Sequence, residues 1–597
     1  MKAFKWIGIT LLVIFMLVGC GSSSGSSSGS DTGQDTANET PGDTGHDTSG
    51  GGTGQTPPAE VTSTVVLAAN DLGMHCMDRE FSVFSILPPF NVVHAQVLSR
   101  NASGLPEVLD DSQVSVRYDG IADADGSINT YSATGSLSKT DFWDWAELLF
   151  GTALNSGEGL TGLYMPGDDP LNRGPQPMAY DPGAQWFTAE GIPLTPVDDS
   201  GFTNPFGLMR ISAADTGGQP VGHLDVVVPV ATETDCRACH QTGGIAAQGS
   251  GWSDAADIEI QSKINVLRLH DQNEQTSLEA SQPVLCAQCH YSPALDLAGT
   301  GPTTSLPTFS NVMHAFHGAQ VDSQGQPVFT NTVEGNCYQC HPGKVTQCLR
   351  GVMATAGMDC FDCHGDLASV GGEHPLLAGG SIDGTNDGHA RRPWQDLPRC
   401  QSCHTGDAVS YLDSGSGLVH DSAWPFRLRQ TYQNGDASAS PLSAPGSRFA
   451  ENSATLFRFS KGHGGIFCEG CHGSTHAVWP NSDPTANDNV AAVSLQGYPG
   501  VIKECTACHA AGTLPLTTNG PHGLHNVADS RWYSEEGHGS RYRQNKSSCK
   551  ACHGTDLNGT PLSKTPVARS FRAEGRTVNF AAGDLVGCTH CHSRPSL

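Results

Sequence analysis

The chain has 597 residues and a formal net charge of −28, with 60 Asp and Glu against 32 Lys and Arg. An acidic surface of this size excludes DNA, RNA and anionic lipid as general partners, because their phosphates would repel it, and suits cationic partners or positively charged mineral surfaces. Only 37% of residues are hydrophobic, while Gly and Pro number 71 and 36, so much of the backbone is expected to be loop and its core to need help from something besides side chains.

Residues 1–20 read as an export signal. Lys2 and Lys5 start it, and Ile7 to Val18 form an apolar run too short to span a bilayer comfortably. It closes on Leu17-Val18-Gly19-Cys20, which resembles the bacterial lipobox. That resemblance implies a lipidated Cys20 at the mature N-terminus; the alternative is an ordinary cleaved signal with an incidental Cys. Gly21 follows, with no Asp there to signal inner-membrane retention, which by the same resemblance implies the outer membrane. Residues 21–58 are Ser, Gly, Thr, Asp and Pro with almost no apolar residue. They predict a disordered tether, including a solvated His46, with an average reach of about 35 Å.

Residues 59–232 predict a β-rich domain. Val61–Ala69, Val92–Leu98 and Val114–Tyr118 are strand candidates, and Met209–Ala213 with His223–Val230 flank a Gly217-Gly218 turn. One helix is expected over Asp141–Phe150, capped by Thr140, ended by Gly151, and facing the core with Phe142, Trp145, Leu148 and Leu149. A β-sandwich with a short helix follows. Met74, His75, Cys76, Met77 and His94 are copper-type ligands, but His75 and Cys76 are adjacent, whereas blue-copper sites space their ligands along a loop. Asp119, Asp123, Asp125 and Gly126 resemble part of a calcium loop, with Ile121 and Ser132 where an EF-hand needs acids; acidic turn residues are the plainer reading.

Residues 233–597 carry nine copies of Cys-x-x-Cys-His. They are Cys236, Cys239 and His240; Cys286, Cys289 and His290; Cys337, Cys340 and His341; Cys360, Cys363 and His364; Cys400, Cys403 and His404; Cys468, Cys471 and His472; Cys505, Cys508 and His509; Cys549, Cys552 and His553; and Cys588, Cys591 and His592. Chance predicts about 0.03 such patterns in a chain of this composition. Zinc ribbons do not need a His after every second Cys, and a thioredoxin-like motif does not come in nines. The pattern is the attachment site of haem c: two thiols reach the vinyl groups on one porphyrin edge and the next His ligates the iron. On these motifs the chain resembles the multihaem c-type cytochromes that metal-respiring bacteria use at or beyond the outer membrane. As one compact body this region would have a radius of gyration of about 21 Å, so neighbouring haems must lie close. The shortest interval, His341 to His364, marks the closest expected pair; the longest, His404 to His472, leaves room for an excursion through Trp424, Pro425 and Phe426. A helix is expected at Asp257–His270, with short helices and loops elsewhere.

The second axial ligand decides between wire and enzyme, because iron with two strong ligands only passes electrons. Sixteen His lie outside the motifs. The distal candidates are His270, His314, His317, His374, His389, His420, His463, His476, His522, His525, His538 and His590, with His75 or His94 as further possibilities and a surface or structural role open for each. No Cys-x-x-Cys-Lys occurs, which counts against the nitrite-reductase family. Cys76 and Cys348 remain, as a disulfide permitted by export or as two buried thiols. The expected architecture is multidomain: a β-rich N-terminal domain, then a haem-organised, loop-rich domain with short α-helices. The resemblance implies electron transfer through nine haems, with acidic charge and propionates lowering their potentials. Its partners would be other c-type cytochromes, an outer-membrane porin and extracellular metal oxides. A reductase with one open iron and a filament-forming cytochrome are the alternatives.

Overall fold

The structure, a computed structural model, describes residues 64–372 and 461–592, apart from short intervals of at most four residues. The signal and tether at 1–58 lie outside the described residues, as do Cys20, Cys400, Cys403, His404, His374, His389, His420 and the side chain of Cys363.

The N-terminal part is β-rich. Strands β1 (Thr64–Asn70), β2 (His75–Cys76), β3 (Phe84–Ser85), β4 (Asn91–Ser99), β5 (Glu107–Leu109) and β6 (Val114–Ile121) come first. The small hairpin of β7 (Ala133–Thr134) and β8 (Leu137–Ser138) precedes helix α1 (Phe142–Phe150). Then follow β9 (Gln176–Pro177), β10 (Ala179–Asp181), β11 (Trp186–Ile192), β12 (Leu208–Asp215), β13 (Pro220–Val227) and β14 (Val230–Ala231). One antiparallel sheet runs β1-β4-β11-β10, with β5 also on β4; the other runs β13-β12-β6-β9. Val66, Val93, Val97 and Phe187 of the first sheet meet Val116, Tyr118, Ile211 and Val226 of the second in one core. Each such fully buried apolar side chain contributes about 1.5–3 kcal/mol. The alternation in β6 is that of a half-buried strand, Val114, Val116 and Tyr118 inward and Ser115 and Arg117 outward.

Helix α1 closes this core. The Thr140 hydroxyl accepts from Phe142 N, and Gly151, in the left-handed region at φ 70°, ends the helix by donating to Glu147 O. Its buried stripe is Phe142, Ala146 and Leu149. Leu148, expected inward, is 65% exposed and Trp145 is half-buried. The i, i+4, i+7 row is narrow, and both residues fall to one side of it.

β1 and β4 are buried on both faces, a burial that period-2 alternation does not predict. The reason lies in the last third of the chain. Val65, Leu67, Leu98 and Trp186 point away from the first core and pack on Phe467, with Ile466, Leu495 and Cys508 beside it. Leu208 and Val227 on the other sheet pack on Ala492. Polar ties hold the seam. Gln96 on β4 donates to Gln185 O (3.0 Å) and Gly465 O (3.2 Å) and accepts from Phe467 N (3.1 Å). Arg100 donates to the carbonyls of Thr506 and Ala507.

Beyond β14, helix α2 (Ile258–Glu274) begins at the expected Asp257, whose carboxylate accepts from Glu259 N and Ile260 N, and runs four residues past His270. The buried Lys263 on α2 donates to the Phe84 carbonyl and lies 3.9 Å from the Asp78 carboxylate. β15 (Val284–Leu285) pairs with β3. Helix α3 (Phe309–Gly318) is capped by Thr308. Later elements are helices α4 (Val490–Gln496), α5 (His538–Gln544) and α6 (Lys546–His553), the hairpin β16 (Arg569–Ala573) and β17 (Arg576–Phe580), and single helical turns. A buried ion pair, Arg350 to Asp488 at 2.6 Å, joins distant segments of this part. Cys76 and Cys348 share one buried apolar cluster with Met74, Leu87 and Ala231, and both are free thiols there.

The substitution Gln96→Leu strands Phe467 N–H and the Gly465 and Gln185 carbonyls at a buried seam. It should destabilise the protein by about 2–3 kcal/mol, read as a lower midpoint in denaturant unfolding. An unchanged midpoint would show that residues 465–467 are not seated on β4.

Candidate functional site

The described Cys-x-x-Cys-His motifs fold alike. The second Cys N–H and the His N–H both turn back to the first Cys carbonyl: at 236 these bonds are 3.3 and 2.9 Å, at 337 they are 3.2 and 2.8 Å, and at 505 they are 3.1 and 2.8 Å. One tight helical turn therefore carries the two thiols at i and i+3 on one side, with the imidazole next to them.

Each described motif histidine faces one histidine from outside the motifs. The pairs are His240 with His317, His290 with His270, His341 with His314, His364 with His476, His472 with His522, His509 with His463, His553 with His525, and His592 with His538. Ring centroids lie between 5.6 Å, at His538–His592, and 6.4 Å, at His525–His553. A direct hydrogen bond between ring nitrogens would hold the centroids about 5.2 Å apart. Two rings that ligate one metal ion through Nε2 have centroids about 6.3 Å apart, given metal–nitrogen bonds of about 2 Å. Six of the eight pairs, at 5.9–6.4 Å, lie nearer the second value; His472–His522 at 5.7 Å and His538–His592 at 5.6 Å, with its Nε2 atoms 3.4 Å apart, fall between the two.

The other ring nitrogen is occupied in several pairs. His290 Nδ1 donates to Pro307 O (2.9 Å), His314 Nδ1 to Ser310 O (2.9 Å), His317 Nδ1 to Met313 O (2.5 Å) and His553 Nδ1 to Val586 O (2.7 Å). His592 Nδ1 lies 2.7 Å from the Glu574 carboxylate. A carbonyl only accepts, so these rings carry their proton on Nδ1 and present the Nε2 lone pair to the partner ring. Burial keeps the rings neutral, as ligands must be: it pushes His240, His314 and His525 down to about 4 and His341 to about 3.

Two imidazoles alone make a poor cage for a bare ion. Among the described residues no three His, Cys, Asp or Glu side chains converge as they would around a metal ion held by protein alone. A porphyrin brings four nitrogens of its own and needs only two axial ligands and, for covalent attachment, two thiols on one edge. The paired rings and paired thiols fit that group.

The pairs also interlock. His314 and His317 stand one turn apart on α3 and serve the motifs at 337 and 236. His476, four residues after His472, faces His364. His522 and His525 face His472 and His553. The Cys337 and Cys360 thiols hydrogen-bond to each other, at the motif interval expected to be closest.

Other expected ligands sit elsewhere. His590 is exposed, packs on the Phe580 ring and interacts with the Gly587 backbone. His75 uses Nε2 to donate to Asp71 O, and His94 stacks on Trp186 at 4.1 Å with Nε2 3.5 Å from the Asp71 carboxylate. Both belong to the seam around β1 and β4. Cys76 and Met77 enter different clusters, so His75, Cys76 and Met77 do not converge. Asp119 lies on β6, and Asp123 accepts from Asp125 N, Ser127 N, Asn204 and Asn487 as the anchor of a turn at Gly126. Sequence reasoning missed the acceptors behind the ligands, such as Glu574 and the Pro307 carbonyl, for which the sequence holds no signal. No protein-family model matches the chain, and neither the curated proteins nor the solved structures contain a match to it.

Proposed function

We propose that this chain is a nine-haem c-type cytochrome that passes electrons along a series of covalently held haems. The observation that carries the reading is that each described motif histidine is faced by a second histidine, in six of the eight pairs at a spacing close to that of two ligands on one metal. Haem iron supplies one-electron chemistry between its ferric and ferrous states. The thiols of each motif would hold the porphyrin edge, the motif His one axial position and the partner His the other. Backbone carbonyls behind Nδ1 fix ring orientation, and the Glu574 carboxylate does the same for His592. With both axial positions taken, a small molecule has no place to bind at these eight sites. A reductase reading would therefore rest on the motif at Cys400, Cys403 and His404, outside the described residues.

Lipidation at Cys20 and a 38-residue tether complete the proposal: an outer-membrane lipoprotein on the periplasmic or cell-surface face, exchanging electrons with other cytochromes, a porin-associated path or metal oxides. It rests on the lipobox resemblance and the composition of residues 21–58.

The test is optical and low-temperature EPR spectroscopy of the holoprotein, with CO added after reduction. All described sites should be low-spin and inert to CO. His317→Ala should create one high-spin, CO-binding haem, and His590→Ala none. A wild-type protein without haem absorbance, or a His317→Ala variant that stays wholly low-spin, refutes the assignment.

Glu574→Gln removes the carboxylate behind His592. It should raise the potential of one haem by roughly 20–50 mV, the effect of one partly solvated charge several ångströms from the iron, and leave the others in place. Voltammetry of both proteins checks this.

A further inference from the structure

Residues 537–580 invert the charge of the chain. They hold eight Lys and Arg against Asp556 and Glu574, a local +6 in a chain of −28. Counting Glu535 and Glu536 as well, the stretch stays at +4.

These cations are built onto two of the histidine pairs. Arg541 and Arg543 lie on α5, which carries His538 opposite His592. Lys546 and Lys550 lie on α6, which carries Cys549, Cys552 and His553. Arg572 is on β16, and Arg576 on β17 donates to the carbonyls of His590 and Cys591. Arg541, Arg543, Lys546, Arg572 and Arg576 are exposed. Among the described residues the first four have no carboxylate partner; Lys546 instead lies 5.6 Å from the Tyr542 ring. Arg569 is different, half-buried and paired with Glu504.

The same region brings a histidine pair toward solvent. The His592 ring is 29% exposed, whereas His314 and His509 are 9% exposed. The 538–592 pair comes last in chain order, and the 525–553 pair is its neighbour, since His538 lies close enough to act on both of those rings. A cationic face beside a partly open member of a redox series concentrates anions where electrons can leave or enter.

We propose that the face around Arg541, Arg543, Lys546 and Arg572 is the docking surface for an acidic electron-transfer protein, one that presents carboxylates or propionates around its own redox centre. One electron passes between the His538–His592 site and that centre, and no bond is made or broken. The proposal rests on the haem reading. It assigns this end a partner of the sign opposite to the one the overall charge suggests.

The experiment uses the reduced, full-length holoprotein and its oxidation in stopped flow by ferricyanide, an anionic probe, and by hexaammineruthenium(III), a cationic one, over rising salt. Overall charge alone makes the ferricyanide rate rise with salt. The proposal expects its fast phase to fall by about tenfold, as steering to the basic face is screened. In the variant Arg541→Gln/Arg543→Gln/Lys546→Gln/Arg572→Gln, with haem content unchanged, that fall should disappear or reverse, while the ruthenium reaction changes little. A ferricyanide rate that rises with salt in the wild type, or a variant that keeps the wild-type slope, overturns the proposal. So does a wild-type oligomer in sedimentation velocity that the variant lacks, which would make the face a self-contact. Binding to phosphatidylglycerol vesicles that the variant loses would assign it to lipid and overturn the proposal equally. A preparation with no haem absorbance fails the haem reading before this experiment begins.

Discussion

The pairing of histidines from distant parts of the chain is the constraint on which the C-terminal half depends. His364 and His476 stand 112 residues apart, and His538 and His592 are 54 apart. Loop closure over such spans costs conformational entropy, and among the described residues the helices and the one hairpin of this half offer little regular structure to offset it. A metal-centred link at each pair would supply the missing enthalpy, and a porphyrin around it would supply apolar surface to a chain only 37% hydrophobic. The need for help in the core, visible in composition, and the ring pairs, visible in structure, have one common explanation under the proposed reading.

Interlocking follows from economy of chain. Because α3 carries the partners of two motif histidines and the 468–476 segment carries one motif histidine and the partner of another, neighbouring pairs are held by the same few residues of backbone. Their separation is fixed by a helical turn or a four-residue link, far stiffer than a loop. Under the proposed reading such an arrangement would favour electron transfer, which falls off steeply with distance, without calling for any moving part.

The motif residues were legible in the sequence because they repeat at one fixed local spacing. Their partners were legible only as a pool. His270, His314 and His317 look no different from His590 as letters, and only tertiary placement sends the first three to a motif histidine and leaves the fourth on Phe580. Strand positions came through where β-branched residues cluster, as in Val92–Leu98, and the cap at Asp257 fixed where α2 begins. The full burial of β1 was not legible, since its second face is covered by Phe467, some four hundred residues later. Leu148 misled for a simpler reason: an apolar residue on a short helix is not bound to the inward stripe.

That covered face has a consequence for how the protein is made. The β-rich part leaves the ribosome first, yet the outer side of its first sheet, with Leu67, Leu98 and Trp186, is closed only by residues near 467 and 495. Until those arrive, a flat apolar sheet face stands open to any neighbour. The nascent chain must therefore be shielded, or kept from settling, through the whole interval in which the segment that carries its cysteine motifs is being made. Maturation of the last third is in this sense a step in folding the first.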